Sequence, residues 1–303
     1  MHAALICNPA SGRGCGARLI PEARAAFASV GITDVRITKC VGDETRLTRA
    51  ALDDGCDTIA VLGGDGTWGK CAAALAACGG EARLAFLRGG TGNDFAKNLP
   101  APAGDFKAMA QLVAHGGTEW RVDMGRVESG RNSDPADWFL NIAGFGFDVT
   151  VLERVERGGN LRGPLVYVYS ALRELFAYRG FTVNAPRLAG SHATQLMLVI
   201  ANGQHFGGVF HIAPDALVTD GRLDAIVVKN MGALARLPLF AAVVRGTHLA
   251  HPAVQVATAG EFTLRFATPP SFEVDGELRT AASPELRVVC VPGAVRVLGG
   301  PGA

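Results

Sequence analysis

The sequence has no charge of one sign to spare: 29 lysines and arginines stand against 28 aspartates and glutamates in 303 residues. No polybasic segment and no nucleic-acid motif appears, so nothing provides the electrostatic footprint of a nucleic-acid binder. No apolar run approaches the roughly 18 residues of a spanning helix, and no transmembrane segment is expected. Met1 to Pro9 lacks both the charged n-region and the apolar length of a signal peptide. A cytoplasmic chain is expected, with membrane contact limited to the inner surface. C-x-x-C pairs are missing as well. Seven cysteines, an odd number, fit reduced and buried thiols better than a disulfide framework or a zinc site. There is no internal repeat and no low-complexity tract.

What is present is organised around Gly63-Gly64-Asp65-Gly66-Thr67. The run before it, Thr58 to Leu62, is short, apolar and rich in β-branched residues, as a strand buried on both faces should be. The run after it, Trp68 to Cys78, is mostly alanine. Strand, glycine turn and helix follow in order. The glycines let the backbone take positive φ and approach a ligand closely, and the helix turns its unpaired N–H groups and positive dipole end to the same place. Such a turn suits phosphates. Asp65 within it is the unusual residue, because phosphate repels a carboxylate unless a metal ion or a proton-transfer role accounts for it. Two generic patterns overlap here. Gly64, Gly66 and Gly69 spell the G-x-G-x-x-G dinucleotide fingerprint, and Gly64 with Gly69-Lys70 nearly spells a Walker A loop, although Cys71 stands where that loop needs Ser or Thr.

Other turns fit the same plan. An apolar first strand, His2 to Cys7, leads into Asn8-Pro9-Ala10-Ser11-Gly12-Arg13-Gly14 and a helix from about Gly16 to Val30. Arg13 and Arg18 flank its start as candidate phosphate ligands or solvated arginines. Strand two runs from Val35 to Lys39, helix two from Asp43 to Asp54, and strand four from Arg83 to Leu87 ahead of Gly89-Gly90-Thr91-Gly92-Asn93-Asp94-Phe95-Ala96. Asn93 and Asp94 suit a helix cap, or a place against nucleotide or acceptor hydroxyls. Alternating strands and helices predict a doubly wound parallel sheet with its ligand crevice at the carboxyl ends of the strands. After Val122 to Gly125 the pattern changes to strands: Phe139–Ala143, Gln195–Ala201, Leu223–Val228, Phe262–Phe266, Ser271–Val274 and Leu286–Val291, an antiparallel sandwich. One helix interrupts them, from Pro164 to Gly180, with Leu165, Val168, Leu172, Leu175 and Phe176 at helical spacing. Its stripe reads as core or as a lipid-facing surface beside Arg154, Arg157, Arg162, Arg173 and Arg179. Residues 129 to 137 read as a solvated loop.

Taken together these motifs resemble the diacylglycerol kinase catalytic-domain family of lipid kinases, in its soluble bacterial branch related to sphingosine and ceramide kinases. The resemblance covers nearly the whole chain. It rests on Asn8-Pro9-x-Ser11-Gly12, the Gly63 to Thr67 turn, Gly90 to Ala96, Phe139-x-Asn141 with Gly144-Phe145-Gly146, Asn202-Gly203 with Gly207-Gly208, Pro214-x-Ala216 with Asp220-Gly221-x-Leu223, and Asp275-Gly276-Glu277. NAD kinases share the glycine–aspartate turn, but the Asn93 to Ala96, Asp220-Gly221 and Asp275 to Glu277 blocks belong to the lipid-kinase pattern.

The resemblance implies an α/β plus all-β protein. An N-terminal three-layer domain would occupy residues 1–125, with 292–303 returning to it, and a β-sandwich lipid-substrate domain residues 126–291. The active site would lie in the cleft between them. It implies ATP and Mg²⁺ as cofactors and a lipid at the membrane surface as acceptor. Asn8, Ser11, Gly12, Arg13, Thr38, Gly63, Gly64, Asp65, Gly66, Thr67, Gly90, Thr91, Asn93 and Asp94 would form the nucleotide site, with Thr38 and Thr91 lining its pocket. Asp65 and Glu277 would be catalytic, Glu277 as general base. A structural magnesium would be held by the carboxylate of Asp220 and the main-chain oxygens of Leu217 and Arg222, oxygen ligands that suit this hard cation. In one respect the chain departs from the family, which commonly continues its glycine turn with an apolar residue, Asn and Glu; here Trp68, Gly69 and Lys70 follow. A small-molecule kinase related to NAD kinases and a nucleotide- or lipid-binding regulator without turnover are the alternatives. The oligomeric state is left open, a homodimer included.

Overall fold

A computed structural model of the chain describes residues 2–79, 81–130, 136–157, 173–188 and 193–300. It divides into two compact units, Met1–Asp123 with Pro292–Ala303, and Met124–Val291.

In the first unit, strands β1 (Ala3–Cys7), β2 (Asp34–Ile37), β3 (Thr58–Gly63) and β4 (Arg83–Arg88) alternate with helices α1 (Ser11–Ala28), α2 (Asp43–Asp53) and α3 (Asp65–Ala77), and α4 (Phe106–His115) follows β4. The strands pair in parallel in the order β2-β1-β3-β4. Every residue of β1 and β3 is buried, the physical counterpart of their unbroken apolar runs: a parallel sheet covered on both faces needs no polar side. The order reverses between β1 and β3, which pair with each other while their connections leave in opposite directions. In an open parallel sheet the carboxyl ends of the strands at such a switch point are where ligands bind. Trp68 packs beneath that point. It is fully buried, donates its indole N–H to the Val61 carbonyl at 3.2 Å and stacks on Phe86 at 5.1 Å, with Phe95 edge-on to Phe86 at 5.5 Å.

The second unit is built on an antiparallel sheet. β7 (Ile142–Gly146), β8 (Gln195–Ala201), β11 (Leu223–Lys229), β12 (Val254–Ala259), β14 (Ser271–Val274) and β15 (Glu277–Thr280) pair in the order β12-β11-β8-β7-β14-β15. Alternate residues of its strands enter two different cores. Leu198, Ile200, Ala225 and Val227 face Phe262 and Leu264 of β13 (Glu261–Arg265) and Leu286 and Val288 of β16 (Glu285–Gly299). Val199, Ala201, Ile226 and Val228 face Phe147 and Val151 of α5 (Phe147–Arg157) and Leu239 and Val243 of α6 (Ala233–Arg245). A sandwich of strands therefore covers one face and helices cover the other. Among the described residues the remaining strands are β5 (Thr118–Glu128), β6 (Asp137–Phe139), β9 (His205–Phe206) and β10 (Phe210–His211).

The structure departs from expectation at three places. Phe139–Ala143 is not one strand; β6 ends at Phe139 and β7 starts at Ile142, because the amides of residues 140–142 turn to the Asp275 carboxylate instead of a neighbouring strand. The last strand does not stop at Val291 but runs on through Pro292 to Gly299. α5 and α6 were not foreseen, since the start of α5 lies against a glycine motif and α6 is apolar nearly throughout, with Pro238 inside it. The expected helix from Pro164 falls mostly outside the described residues, which resume with helical turns at 173–177; the loop expected over 129–137 is described only at its edges, and Asp137 is already in β6.

Trp68 has a measurable weight in the first unit. Trp68→Ala should destabilise it by about 3–5 kcal/mol, read as an earlier urea transition, and Trp68→Phe should recover part of the loss.

Candidate active site

Three loops of the first unit close on one another at the carboxyl ends of β1, β3 and β4. They touch through backbone. A Cβ added to Gly90 would lie 2.4 Å from the Gly64 Cα, one on Gly64 would lie 2.9 Å from the Gly90 Cα, and one on Gly12 would lie 2.5 Å from the Gly89 carbonyl oxygen. Hydrogen bonds tie the same loops: Gly89 N–H to Gly63 O at 2.7 Å, Asn8 N–H to Leu62 O at 2.9 Å, and Ser11 Oγ to the carbonyls of Asn8 and Gly89 at 2.8 and 3.1 Å. Gly12, Arg13 and Gly14 are successive left-handed residues (φ 55, 58 and 87°), so the chain turns tightly before α1 continues and leaves Arg13 exposed at the rim. For Arg13 this conformation is strained, and glycine neighbours on both sides make it possible.

Asp65 is the first residue of α3, half-buried. Its Oδ1 accepts the Phe95 N–H at 2.9 Å, which links the β3 turn to the short 3₁₀ helix Phe95–Lys97. Burial, and then the nearby Asp94 carboxylate, raise its pKa; the amides of Phe95, Asp94 and Asp65 itself pull it back. Asp94 is buried and ion-paired with Lys97 at 2.5 Å. Two carboxylates thus approach one another at the N-terminal end of α3. That arrangement attracts a cation.

Several of the polar residues expected to grip a nucleotide hold the loops instead. Asn8 donates its amide to Thr67 Oγ1 at 2.9 Å and to Glu44 Oε1 at 3.2 Å, and accepts from Ala10 N–H at 2.9 Å. Asn93, at φ 48°, exchanges two hydrogen bonds with the backbone of Gly90, closing the turn; Asp94 makes no side-chain cap to the 3₁₀ helix. The capping alternative for the pair is therefore not what the chain does. Thr67 is buried under Gly63, and Thr38 is buried beside β1 with its N–H on the Cys7 carbonyl at 2.9 Å. Gly66 is half-buried and Thr91 exposed. Gly69 and Lys70 lie in the second turn of α3, beyond the residues whose N–H groups are unpaired. The Walker A likeness thus has no loop to describe. Glu44 was missed by sequence reasoning. It stands in the first turn of α2, where an acid needs no explanation beyond the helix dipole, yet it is buried, and one oxygen lacks a hydrogen-bond partner.

In the second unit Glu277 begins β15 directly after the two-residue turn Asp275-Gly276, with φ 46 and 85°. Both positive φ values belong to the tight hairpin turn that an Asp-Gly pair favours. Asp275 accepts the amides of Leu140, Asn141 and Ile142 at 2.7, 2.9 and 3.0 Å. Asn202 reaches the same segment, donating its side-chain amide to the Leu140 carbonyl at 2.7 Å. Three of the motifs scattered along the sequence are thus one cluster. The Glu277 carboxylate pairs with Arg279 at 2.7 Å, and that guanidinium also reaches Asp137 at 2.9 Å.

Asp220 lies exposed in a turn whose next residue, Gly221, has φ 73°, and its Oδ1 accepts the Arg222 N–H at 3.0 Å. Leu217 is exposed nearby in sequence. Asp215 and Asp220 both push the Asp224 carboxyl upward, after its burial, so negative potential accumulates here. A carboxylate and backbone carbonyls at such a turn fit a hard cation by donor type.

Comparison with known proteins gives the family. Residues 2–127 match the diacylglycerol kinase catalytic domain, and residues 141–299 match the YegS C-terminal NAD kinase beta sandwich-like domain. A diacylglycerol kinase of Mycobacterium tuberculosis is 30% identical over 97% of this chain and 93% of its own. A probable lipid kinase YegS-like of Xanthomonas euvesicatoria is 31% identical over 87% of this chain and 85% of its own. The chain belongs to the diacylglycerol kinase family of lipid kinases. In fold it is similar to a crystal structure of a diacylglycerol kinase from Bacillus anthracis, with a TM-score of 0.71 at 23% identity over 99% of this chain and 97% of that one.

The backbone contact between the loops sets a test. Gly90→Ala should leave the sheet folded, by circular dichroism, and weaken ATP binding in calorimetry by at least about tenfold, since the turns must part by several tenths of an ångström to admit a methyl group.

Proposed function

We propose that this lipid kinase moves the γ-phosphoryl group of ATP to a hydroxyl of a diacylglycerol-like lipid or long-chain base, with Asp65 organising the phosphates and Glu277 taking the hydroxyl proton. The observation that carries the reading is the set of three glycine loops closed around Asp65 at the N-terminus of a helix. Backbone amides there favour phosphate oxygens, and the exposed Arg13 adds a cation at the rim. Magnesium bound with ATP would neutralise charge on the phosphates. Asp65, with Asp94 beside it, is the acidic group of these loops that would hold it. Little covalent work is then left to the protein beyond placing the two oxygens in line and accepting one proton. Glu277 suits that last task. The turn before it is pinned by three amides on Asp275, and Arg279 orients its carboxylate.

The second unit also has room for an acyl chain. An apolar cavity between its sheet and helices is lined by Phe147, Val151, Phe206, Phe210, Leu239 and Phe240 among others. Leu234 and Val244 of α6 and Phe176 are exposed, the kind of apolar surface that touches a bilayer without crossing it. A further magnesium at Asp220, with the main-chain oxygens of Leu217 and Arg222, would brace the turn before β11.

Incubation of the purified protein with labelled ATP, magnesium and a panel of lipids in mixed micelles should give a labelled lipid. Phosphorylation of NAD instead, or ATP binding without any product, would refute this reading. Glu277→Gln keeps the size and removes the proton acceptor, so turnover should fall by about 10²–10⁴-fold while ATP still binds. At saturating ATP, Asp65→Asn should lose nearly all activity and Lys70→Ala should keep most of it; the reverse ranking would return the turn to a P-loop. Asp220→Ala should lower the melting temperature in magnesium buffer, and equal melting would leave Asp220 as a turn residue.

A further inference from the structure

The second unit buries two carboxyl groups to which the reaction outlined above gives no step, one of them, Asp148, at the edge of the apolar cavity. Glu273 of β14 is fully buried and Asp148, the second residue of α5, nearly so. They meet over Gly144 of β7, which pairs with Glu273 across the sheet. A Cβ built on Gly144 would lie 1.6 Å from Asp148 Oδ2 and 2.9 Å from Glu273 Oε1, so the two oxygens are no further apart than those two distances laid end to end. Glu273 Oε2 accepts the Gly276 N–H at 2.7 Å, whereas Oε1 and both oxygens of Asp148 have no hydrogen-bond partner. Two ionised carboxylates buried this close would repel one another, and a buried charge without a protein partner is costly. A single proton resolves both difficulties. One group becomes an acid whose O–H donates to the other, as in carboxyl pairs that cannot ionise together.

We propose that Asp148 and Glu273 share one proton, and that this acid–carboxylate pair fixes the Asp275-Gly276 turn and so positions Glu277. The inference rests on the general-base reading of Glu277. Its path is short. Glu273 holds the turn through Gly276 N–H, Asp275 holds it from the other side through the amides of residues 140–142, and Glu277 is the next residue after Gly276, paired with Val274. Glu273 acts from behind the hairpin, as a positioning residue.

The electrostatics agree with the geometry. Burial, then Asp148 and to a lesser degree Asp275, push the Glu273 carboxyl well above the usual range, with the Gly276 amide opposing. Burial pushes Asp148 up to about 7, opposed by the nearby amides of Val149 and of Asp148 itself, neither of which makes a hydrogen bond to it. Among the described residues, the other titratable or charged groups facing the pair are Asp275 on the turn, Tyr178, whose ring meets Phe147 edge-on, and Arg236 of α6. The Arg236 guanidinium is already committed to the carbonyls of Met231 and Leu175 and the Asn230 amide oxygen. Because both carboxyl pKa values are raised on folding, the folded chain binds more protons than the unfolded one. The stability this confers is complete below the ordinary carboxylate pKa of about 4 and is lost as pH rises through the raised values.

The test compares wild type, Glu273→Gln and Glu273→Ala, as full chains, by thermal melting and lipid phosphorylation between about pH 5 and about pH 9. Glutamine supplies an N–H where the shared proton stood and keeps an oxygen for Gly276. It should hold kcat within about threefold of wild type and flatten the fall in melting temperature that wild type shows with rising pH. Glu273→Ala should lower kcat by about tenfold or more at unchanged KM for ATP, as loss of alignment does. Unchanged kcat in Glu273→Ala would overturn the positioning role, and equal pH dependence of melting in wild type and Glu273→Gln would overturn the shared proton. Both comparisons remain decisive if Glu273→Ala fails to fold, because Glu273→Gln carries the melting arm and Glu273→Asn, too short to reach Gly276, replaces alanine in the kinetic one. A wild type that yields no lipid product while the melting curves differ as expected would defeat the kinase reading and leave the proton pair standing.

Discussion

The contact of backbone on backbone between Gly64 and Gly90 is the constraint on which the glycine loops of the first unit depend. Two strand-to-helix turns approach until no side chain fits between them, and a third reaches the same point through Gly12. The gain is a surface of N–H groups with no side chains in front of them, beside the positive end of α3. The cost is conformational, since glycine loses more freedom on folding than any other residue. Asn8, Ser11 and Asn93 offset part of it by bonding the loops internally. Their polar atoms hold the loops in place, so under the proposed reading backbone and Asp65 are what is left to meet a ligand.

The second unit solves a comparable problem with carboxylates. A two-residue turn is a short lever, and its direction depends on what grips it. Asp275 accepts three amides that would otherwise be orphaned where β6 breaks before β7, so a single side chain ends one strand, starts another and anchors the hairpin that bears Glu277. Charge-assisted bonds of this kind are strong. The fully buried Glu273 grips the same turn from inside.

The departure at residues 68 to 70 is also explained by packing. Trp68 fills space between α3 and the sheet and joins a row of aromatic rings with Phe86 and Phe95, so an indole seats the helix. Gly69 and Lys70 follow inside the helix and leave the amides at its N-terminus untouched. Cys71, where a P-loop would place Ser or Thr, is buried, and burial pushes its thiol up to about 12, which makes it an inert apolar residue.

Local pattern carried much of this. The all-apolar runs of β1 and β3, the alternation of strand and helix, the glycine turns and the Asp-Gly hairpin could all be read from the sequence, because strand burial and turn chemistry leave a period and a residue type within a few positions of one another. The order of motifs was enough to recognise the family. Tertiary structure alone decided the rest. α6 is apolar along most of its length and displays no helical stripe, so only the sheet face it covers reveals it. The break at residues 140–141 is made by a carboxylate 135 positions away, and no local rule could place it. Glu44, Asp148 and Glu273 look like surface acids in the sequence, because whether a carboxyl group is buried, and what faces it there, is set by chain segments that meet only when the protein folds.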